Sequence, residues 1–282
     1  MGIMRLHAGR AATRSRNQED KTKGNWTAYM CGIAGILVTG SAEPPQREEL
    51  SRMIGRLHHR GPDGTGFHID GPAGLAHARL SIIDLAGGAQ PMPNETGDVW
   101  VTFNGEIFNY RELTAQLVAR GHRFHSHSDT EVLVHLYEEY GEDMLSHLNG
   151  QFAFALWDAK RRRLLLARDR VGIRPLFYTE GAGRLCFASE VKALFALPAV
   201  SRRLDIEALA ETATFWAPLS GRSAFAGIAS LPPGHLLVVD GAQRRLVRYW
   251  DWQFPATVPA PRAERQMKQA LRIGSAATLN IY

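Results

Sequence analysis

Met30-Cys31-Gly32-Ile33-Ala34-Gly35-Ile36-Leu37-Val38-Thr39 places a thiol directly after a methionine and at the head of a short apolar run. Cys31 to Thr39 has the length and composition of a strand. Gln46 to Leu57 follows, and its Leu50, Met53, Ile54 and Leu57 recur at i, i+3, i+4 and i+7, the spacing that puts apolar side chains on one helical face. A strand followed by an amphipathic helix is therefore expected. Upstream, residues 1–29 hold six basic residues (Arg5, Arg10, Arg14, Arg16, Lys21, Lys23) against Glu19 and Asp20, and sustain neither a 2.0 nor a 3.6 period. Residues 1–30 are read as a disordered or removed extension. An organellar transit peptide is the competing reading, which the acidic pair and the lack of an amphipathic helix disfavour.

Downstream, His59-Arg60-Gly61-Pro62-Asp63-Gly64 must be loop, and short strands are expected near 66–69, 74–80 and 98–103. A second helix is expected over 109–120, stopping at Gly121. Ser128-Asp129-Thr130-Glu131 has the spacing of a capping box, with Val132, Leu133, Leu136 and Tyr137 as the apolar stripe of a third helix. Beyond Gly150 the pattern becomes strand-rich, with apolar runs at 151–157, 163–167, 175–179 and 184–188 and a short helix at 190–197. Helices grouped in sequence rather than alternating with strands argue for an α+β fold. After Pro198 the signal weakens to a strand at His235 to Val239 and an aromatic-rich edge at Arg248 to Trp252, followed by a linker at 254–262.

Composition narrows the function classes. The 282 residues are 45% hydrophobic and 22% charged, which suits a globular core. No run approaches the roughly 18 apolar residues of a membrane-spanning helix. The net charge of +5 sits almost entirely in the first 29 residues, and no basic stripe interleaved with aromatics follows. Nucleic acid and membrane are thus set aside as partners. Cys31 and Cys186 are too far apart in sequence and too few for a disulfide framework or a metal-type pair, which fits a reducing cytoplasm. The histidine pairs His58/His59 and His125/His127 are read as solvated or hydrogen-bonded, and no metal site is expected.

The chemistry-bearing feature is Cys31. With translation from Met30 and removal of that methionine, Cys31 carries a free α-amine whose ordinary pKa is about 7.7–8.0. One residue then holds both a nucleophile and its base. The competing reading is a buried strand cysteine acting as a small hydrophobe. Phe103-Asn104-Gly105-Glu106 offers a side-chain amide and a glycine N–H at a strand end, suited to an oxyanion, against the simpler reading of an Asn-Gly turn. An amino-acid substrate needs one fixed cation and one fixed anion. Arg79, between apolar neighbours at a strand end, and Asp129, at a helix start, suit these roles, although Asp129 could merely cap its helix.

Cys31-Gly32-Ile33-Ala34-Gly35, His59-Arg60-Gly61-Pro62-Asp63, Arg79-Leu80-Ser81-Ile82-Ile83-Asp84, Phe103-Asn104-Gly105-Glu106-Ile107 and Ser128-Asp129-Thr130-Glu131 come in that order, before Arg168-Asp169-Arg170 with Gly172 and Pro175 and then Ser189-Glu190-Val191-Lys192-Ala193-Leu194. This series resembles the class II glutamine amidotransferase domain, and within that family the asparagine synthetase (glutamine-hydrolysing) branch, over residues 31–200 and more weakly to about 253. The resemblance implies a four-layer α/β/β/α N-terminal-nucleophile hydrolase sandwich of two antiparallel sheets. It implies Cys31 as nucleophile with its α-amine as base, and Asn104 with the Gly105 N–H as oxyanion hole. Arg79 would hold the glutamine carboxylate, Asp129 and Glu106 its ammonium, and Leu80, Ile82 and Ile83 would line the pocket. Arg60 belongs to a supporting loop, while 168–175 and 189–194 are expected to be structural.

In that family the cysteine is the first residue, so the extension ahead of Met30 implies that activity depends on its absence. The family's second domain binds ATP through a Ser-Gly-Gly-x-Asp-Ser loop, and Ser220-Gly221-Arg222-Ser223 does not reproduce it. Residues 201–253 are therefore expected to end the glutaminase domain and lead towards a synthetase domain, with 254–282 a linker and its truncated start. ATP and Mg are expected only for that absent domain, whose ammonia acceptor is the natural partner; a homodimer stays open. A catalytically silent binding module, or an amidotransferase for another acceptor such as a sugar phosphate, are the alternative readings.

Overall fold

The computed structural model describes residues 30–81, 84–85, 87–219 and 221–254. From the N-terminus come β1 (Gly32–Val38), α1 (Arg47–Gly55), β2 (Gly64–Asp70), β3 (Ala73–Arg79), β4 (Met92–Pro93) and β5 (Val99–Ile107). Three helices follow, α2 (Tyr110–Ala119), α3 (Glu131–Tyr140) and α4 (Met144–His147), and then β6 (Gly150–Asp158), β7 (Arg163–Arg168), β8 (Phe177–Gly181) and β9 (Arg184–Ala188). The remaining elements are α5 (Val191–Leu194), α6 (Ile206–Phe215), β10 (Ile228–Ser230), β11 (His235–Asp240) and β12 (Gln243–Arg248). The strands form two six-stranded sheets in the orders β10-β8-β9-β1-β3-β2 and β12-β11-β7-β6-β5-β4. Every pairing between these strands is antiparallel.

Side-chain alternation explains the layering, because a strand buried on both faces must feed two cores at once. Along β1, Ile33 and Leu37 enter the core between the sheets, while Ala34 and Ile36 face Leu50, Met53 and Ile54 of α1. Along β6, Ala153, Ala155 and Trp157 face the other sheet, and Phe152, Phe154 and Leu156 pack on α2 and α3. Three apolar layers thus separate four structural ones, giving the α/β/β/α order. Trp157 ties the sheets together by donating its indole N–H to Asp70 at 2.8 Å.

Two local expectations are corrected. Asn104-Gly105 is neither a turn nor a strand end: β5 runs on to Ile107, with Asn104 opposite Ala153 and Gly105 opposite Phe152. The capping box does not form. Thr130 precedes α3 in helical conformation without a side-chain cap, and the Glu131 carboxylate instead accepts from the backbone N–H groups of His125 and Ser126 at 2.7 and 2.8 Å. Helix α3 ends at Gly141, whose φ of +56° suits a residue without a Cβ.

Helix α6 had no counterpart among the expected elements. Asp205 caps it by accepting from the Ala208 N–H, and Ala208 is its one buried residue, so little apolar periodicity advertises it. Strand β10 forms one edge of the first sheet, and in the second β11 pairs with both β7 and the edge strand β12. The aromatic segment Tyr249 to Trp252 lies beyond β12 rather than within it. The expected linker beyond residue 254, the helix start in the last twenty residues and the extension ahead of Met30 lie outside the described residues.

Candidate active site

Cys31 sits at the mouth of the sandwich, immediately before β1. The Leu80 N–H donates to its sulfur at 3.3 Å, and the thiol lies 3.5 Å from the Leu80 carbonyl. Arg60 fixes the backbone: its Nε donates to the Cys31 carbonyl at 3.0 Å while its Nη1 donates to Glu190 at 2.9 Å. Gly32 is required next to it, because a Cβ there would lie 2.9 Å from the Leu57 Cβ of the loop after α1. These contacts leave Cys31 half-buried, with its side chain facing a pocket of about 580 Å³ of empty space, part of it open to solvent.

The same pocket is lined by Arg79 and Leu80 beyond β3, Asn104, Gly105 and Glu106 of β5, and Ser128, Asp129 and Thr130 ahead of α3. Arg79 is held by the loop below it, donating to the carbonyls of Asp84 at 2.7 Å and Leu85 at 3.2 Å. Asn104 is 1% exposed, and its Nδ2 meets no hydrogen-bond partner among the described residues. Its direction follows from β5. Thr102, two residues earlier and so on the same face, donates its hydroxyl to Ala76 of the opposite sheet at 3.3 Å, so Asn104 also faces that sheet, which carries Cys31.

The backbone of β5 points the Gly105 N–H into the pocket. Phe103 N–H donates away from β6 to Gln90 at 2.6 Å, and Ile107 N–H does the same to Asp129 at 2.9 Å. Backbone donors alternate along an antiparallel strand, so the Gly105 N–H lies between them on that edge. A side chain at 105 is excluded, since a Cβ would lie 2.1 Å from the Gln151 carbonyl.

Burial sets the electrostatics. It pushes the Cys31 thiol up, against the opposing pull of the Leu80 N–H, Arg79 and Arg174, so the resting sulfur is a thiol rather than a thiolate. Cys186, buried against the outer helices, is pushed up to about 12 and behaves as core. His77, a fully buried part of the pocket wall, is lowered by burial to about 3, hence neutral. Burial also raises Asp129 to about 6, with the neighbouring Glu106 charge acting in the same direction and the Ile107 N–H opposing.

Because the folded pKa of Asp129 lies above the ordinary carboxylate value, its contribution to stability is complete below about pH 4 and is lost as pH rises through about 6. A rise from the ordinary carboxylate value to about 6 corresponds to about 3 kcal/mol. Asp129→Asn, which keeps an acceptor for the Ile107 N–H, is therefore expected to unfold at a higher temperature than the parent at pH 7.5 and to lose that advantage at pH 4. Equal differences at the two pH values would refute the placement of a strained carboxylate here.

Of the residues singled out in the sequence, Cys31, Arg79, Leu80, Asn104, Gly105, Glu106 and Asp129 meet in one pocket, and Arg60 lies directly behind the thiol. Ile82 and Ile83 lie outside the described residues. The sequence reading missed Gln90, which bridges the Phe103 N–H and the Thr130 hydroxyl, and Arg174, which reaches the pocket from the loop before β8. Arg168 and Asp169 serve that loop: Arg168 donates to the carbonyls of Arg174, Gly172 and Leu231, and Asp169 accepts from the N–H groups of Val171, Ile173 and Arg174.

A thiol, a buried amide whose Nδ2 has no partner among the described residues, an inward glycine N–H, a cation and two carboxylates thus line one pocket. Residues 30–250 match the glutamine amidotransferase domain family, and the chain belongs to it, with the class II arrangement of two antiparallel sheets. The chain is 42% identical over 241 residues to asparagine synthetase [glutamine-hydrolyzing] 2 of Bacillus subtilis, covering 79% of this chain and 31% of that protein. It is also 36% identical over 239 residues to amidase chry2 of Gibberella zeae, covering 80% and 35%. The chain thus spans about a third of the length of these relatives. Among solved structures it resembles the glutamine phosphoribosylpyrophosphate amidotransferase of B. subtilis with a TM-score of 0.58 at 21% identity, covering 78% of this chain and 49% of that one, a likeness of fold alone. No helix among the described residues is long and apolar enough to cross a membrane.

Proposed function

We propose that this chain hydrolyses the side-chain amide of glutamine through a thioester on Cys31, in a form whose first residue is Cys31, and supplies the ammonia to an amidation. The unpartnered, buried Asn104 amide facing the thiol's pocket is the observation that supports this most. A donor left unsatisfied in a core costs about 1–3 kcal/mol, and a forming oxyanion would satisfy it.

The chemistry balances with these residues alone. The α-amine takes the thiol proton as sulfur bonds to the amide carbon, and the carbonyl oxygen becomes an oxyanion held by Asn104 Nδ2 and the Gly105 N–H. Collapse breaks the C–N bond, with the ammonium returning its proton so that ammonia leaves. Water then gives a proton to the amine and adds to the thioester. A second oxyanion forms on the same donors, the C–S bond breaks, and the thiol recovers its proton as glutamate is released. Arg79 grips the α-carboxylate, and Asp129 with Glu106 receives the ammonium. Ammonia transfer to aspartate, as the name of the Bacillus relative suggests, would place ATP and Mg²⁺ at a synthetase site outside the described residues. The similarity to a fungal amidase favours a second reading in which the same glutaminase serves another acceptor.

Asp129 must be ionised to receive an ammonium, so the KM for glutamine is expected to rise as pH falls below about 6. Asp129→Asn should show a high KM with no such rise. The decisive test is a diazoketone analogue of glutamine, which loses N2 as a reactive thiol bonds to its carbon. One adduct is expected on Cys31, prevented by excess glutamine; an unlabelled Cys31, or label on Cys186, overturns the proposal.

A further inference from the structure

Away from the glutamine pocket, four side chains from three chain segments converge on one point. Glu95 comes from the loop between β4 and β5, His122 from the loop after α2, and His135 and Glu138 from one face of α3 at the i, i+3 spacing. One ligand atom from each lies within 4.8 Å of all the others. His135 Nδ1 is 3.3 Å from Glu95 and 3.3 Å from Glu138, while His122 Nδ1 is 3.5 Å from Glu95 and 3.8 Å from Glu138. Tetrahedral ligation with bonds of about 2.0–2.1 Å sets ligand atoms about 3.3–3.4 Å apart, so the two His135 separations match those around a small tetrahedral ion, and the wider ones, up to 4.8 Å, need the side chains to draw in.

We propose that Glu95, His122, His135 and Glu138 form a structural binding site for one zinc-like divalent transition-metal ion. The outer contacts are those that aim ligands. His122 turns Nε2 to Glu139 at 3.1 Å, which leaves its Nδ1 lone pair facing the cluster. The Glu138 carboxylate accepts from Asn94 at 2.7 Å, and the Glu95 carboxylate from the Arg123 N–H at 2.9 Å. Two imidazoles exclude a preference for Mg²⁺ or Ca²⁺, and two carboxylates beside neutral imidazoles carry the −2 charge that a dication cancels. The side chains of Glu95 and Glu138 are 24% and 28% exposed, so an ion can enter from solvent, whereas His135 is fully buried. The ion would pin α3, whose N-terminal approach carries Asp129, to both neighbouring loops.

The rival arrangement is an ion-pair cluster in which His135 is protonated. Burial opposes that charge, but Glu131, Glu95 and Glu138 together raise the imidazole above its ordinary value. Metal binding decides between the two. The full chain carrying Cys31→Ser and no added histidine sequence is stripped with a chelator, then titrated with Zn²⁺ by calorimetry and with Co²⁺ by absorption. One equivalent of Zn²⁺, a raised unfolding midpoint and tetrahedral Co²⁺ bands are expected. Glu95→Gln and His122→Gln, both on loops, should each weaken binding by at least about 10-fold while leaving the metal-free midpoint near that of the parent. If either variant fails to fold, the Co²⁺ spectrum of the parent decides. No bound equivalent, six-coordinate Co²⁺ bands, or affinity unchanged in both variants overturns the site.

Discussion

Chain beginning at Cys31 is expected to release glutamate from glutamine about 100- to 10,000-fold faster than the same chain with residues 1–30 attached, the range that a positioned general base contributes. The reasoning starts from the sulfur. Burial keeps the Cys31 thiol protonated, and the groups that oppose burial, the Leu80 N–H and the Arg79 and Arg174 charges, do not reverse it. No carboxylate or imidazole hydrogen-bonds to the sulfur among the described residues, where its hydrogen-bond contacts are with the Leu80 backbone. The nearest proton acceptor in covalent terms is its own nitrogen. In a continuous chain that nitrogen is an amide and has no lone pair to offer; at a chain terminus it is an amine titrating near neutrality. Arg60 and Gly32 hold the residue's backbone in either case, so the two forms should unfold at the same temperature and differ in turnover. Equal glutaminase rates would sink the base assignment, and Cys31→Ala should abolish activity in both.

How far the amino-acid order disclosed this arrangement depends on what each segment buries. Helices α1 and α2 and strands β6, β7 and β9 were legible because their apolar spacing feeds a core on one or both faces. Helix α6 was not, since Ile206, Phe215 and the following Trp216 are exposed and its face buries only Ala208. The stretch Asn104-Gly105-Glu106 looked like a break because polar residues interrupt the alternation of Val99, Val101 and Phe103. In the fold those polar groups face the pocket while the backbone continues to pair with β6. Gln90 and Arg174 carried no spacing signal at all, because both act from irregular loops whose course is set by other segments. His135 and Glu138 stand at i, i+3 on α3, a spacing that marks no site from two residues alone, and Glu95 and His122 join them only through tertiary structure.

Asn104→Ala is expected to lower kcat by about 100- to 1,000-fold, or about 2.7–4 kcal/mol, while leaving the KM for glutamine nearly unchanged. The separation between the two constants follows from where the amide points. In the proposed binding mode Arg79, Asp129 and Glu106 address the charged end of glutamine, and none of them hydrogen-bonds to Asn104 Nδ2, which meets no partner among the described residues. That donor is therefore idle until negative charge develops on the substrate oxygen, so its removal affects the transition state more than the bound glutamine. The Gly105 N–H remains in place in this variant, because its direction is set by the β5–β6 ladder and not by the neighbouring side chain, and this accounts for a residual rate rather than none. Structural damage predicts a different pattern. A collapsed pocket would raise KM and reduce diazoketone labelling of Cys31, which Asn104→Ala should leave intact apart from its rate. A variant whose KM rises as steeply as its kcat falls would remove Asn104 from the oxyanion hole and leave it a packing residue.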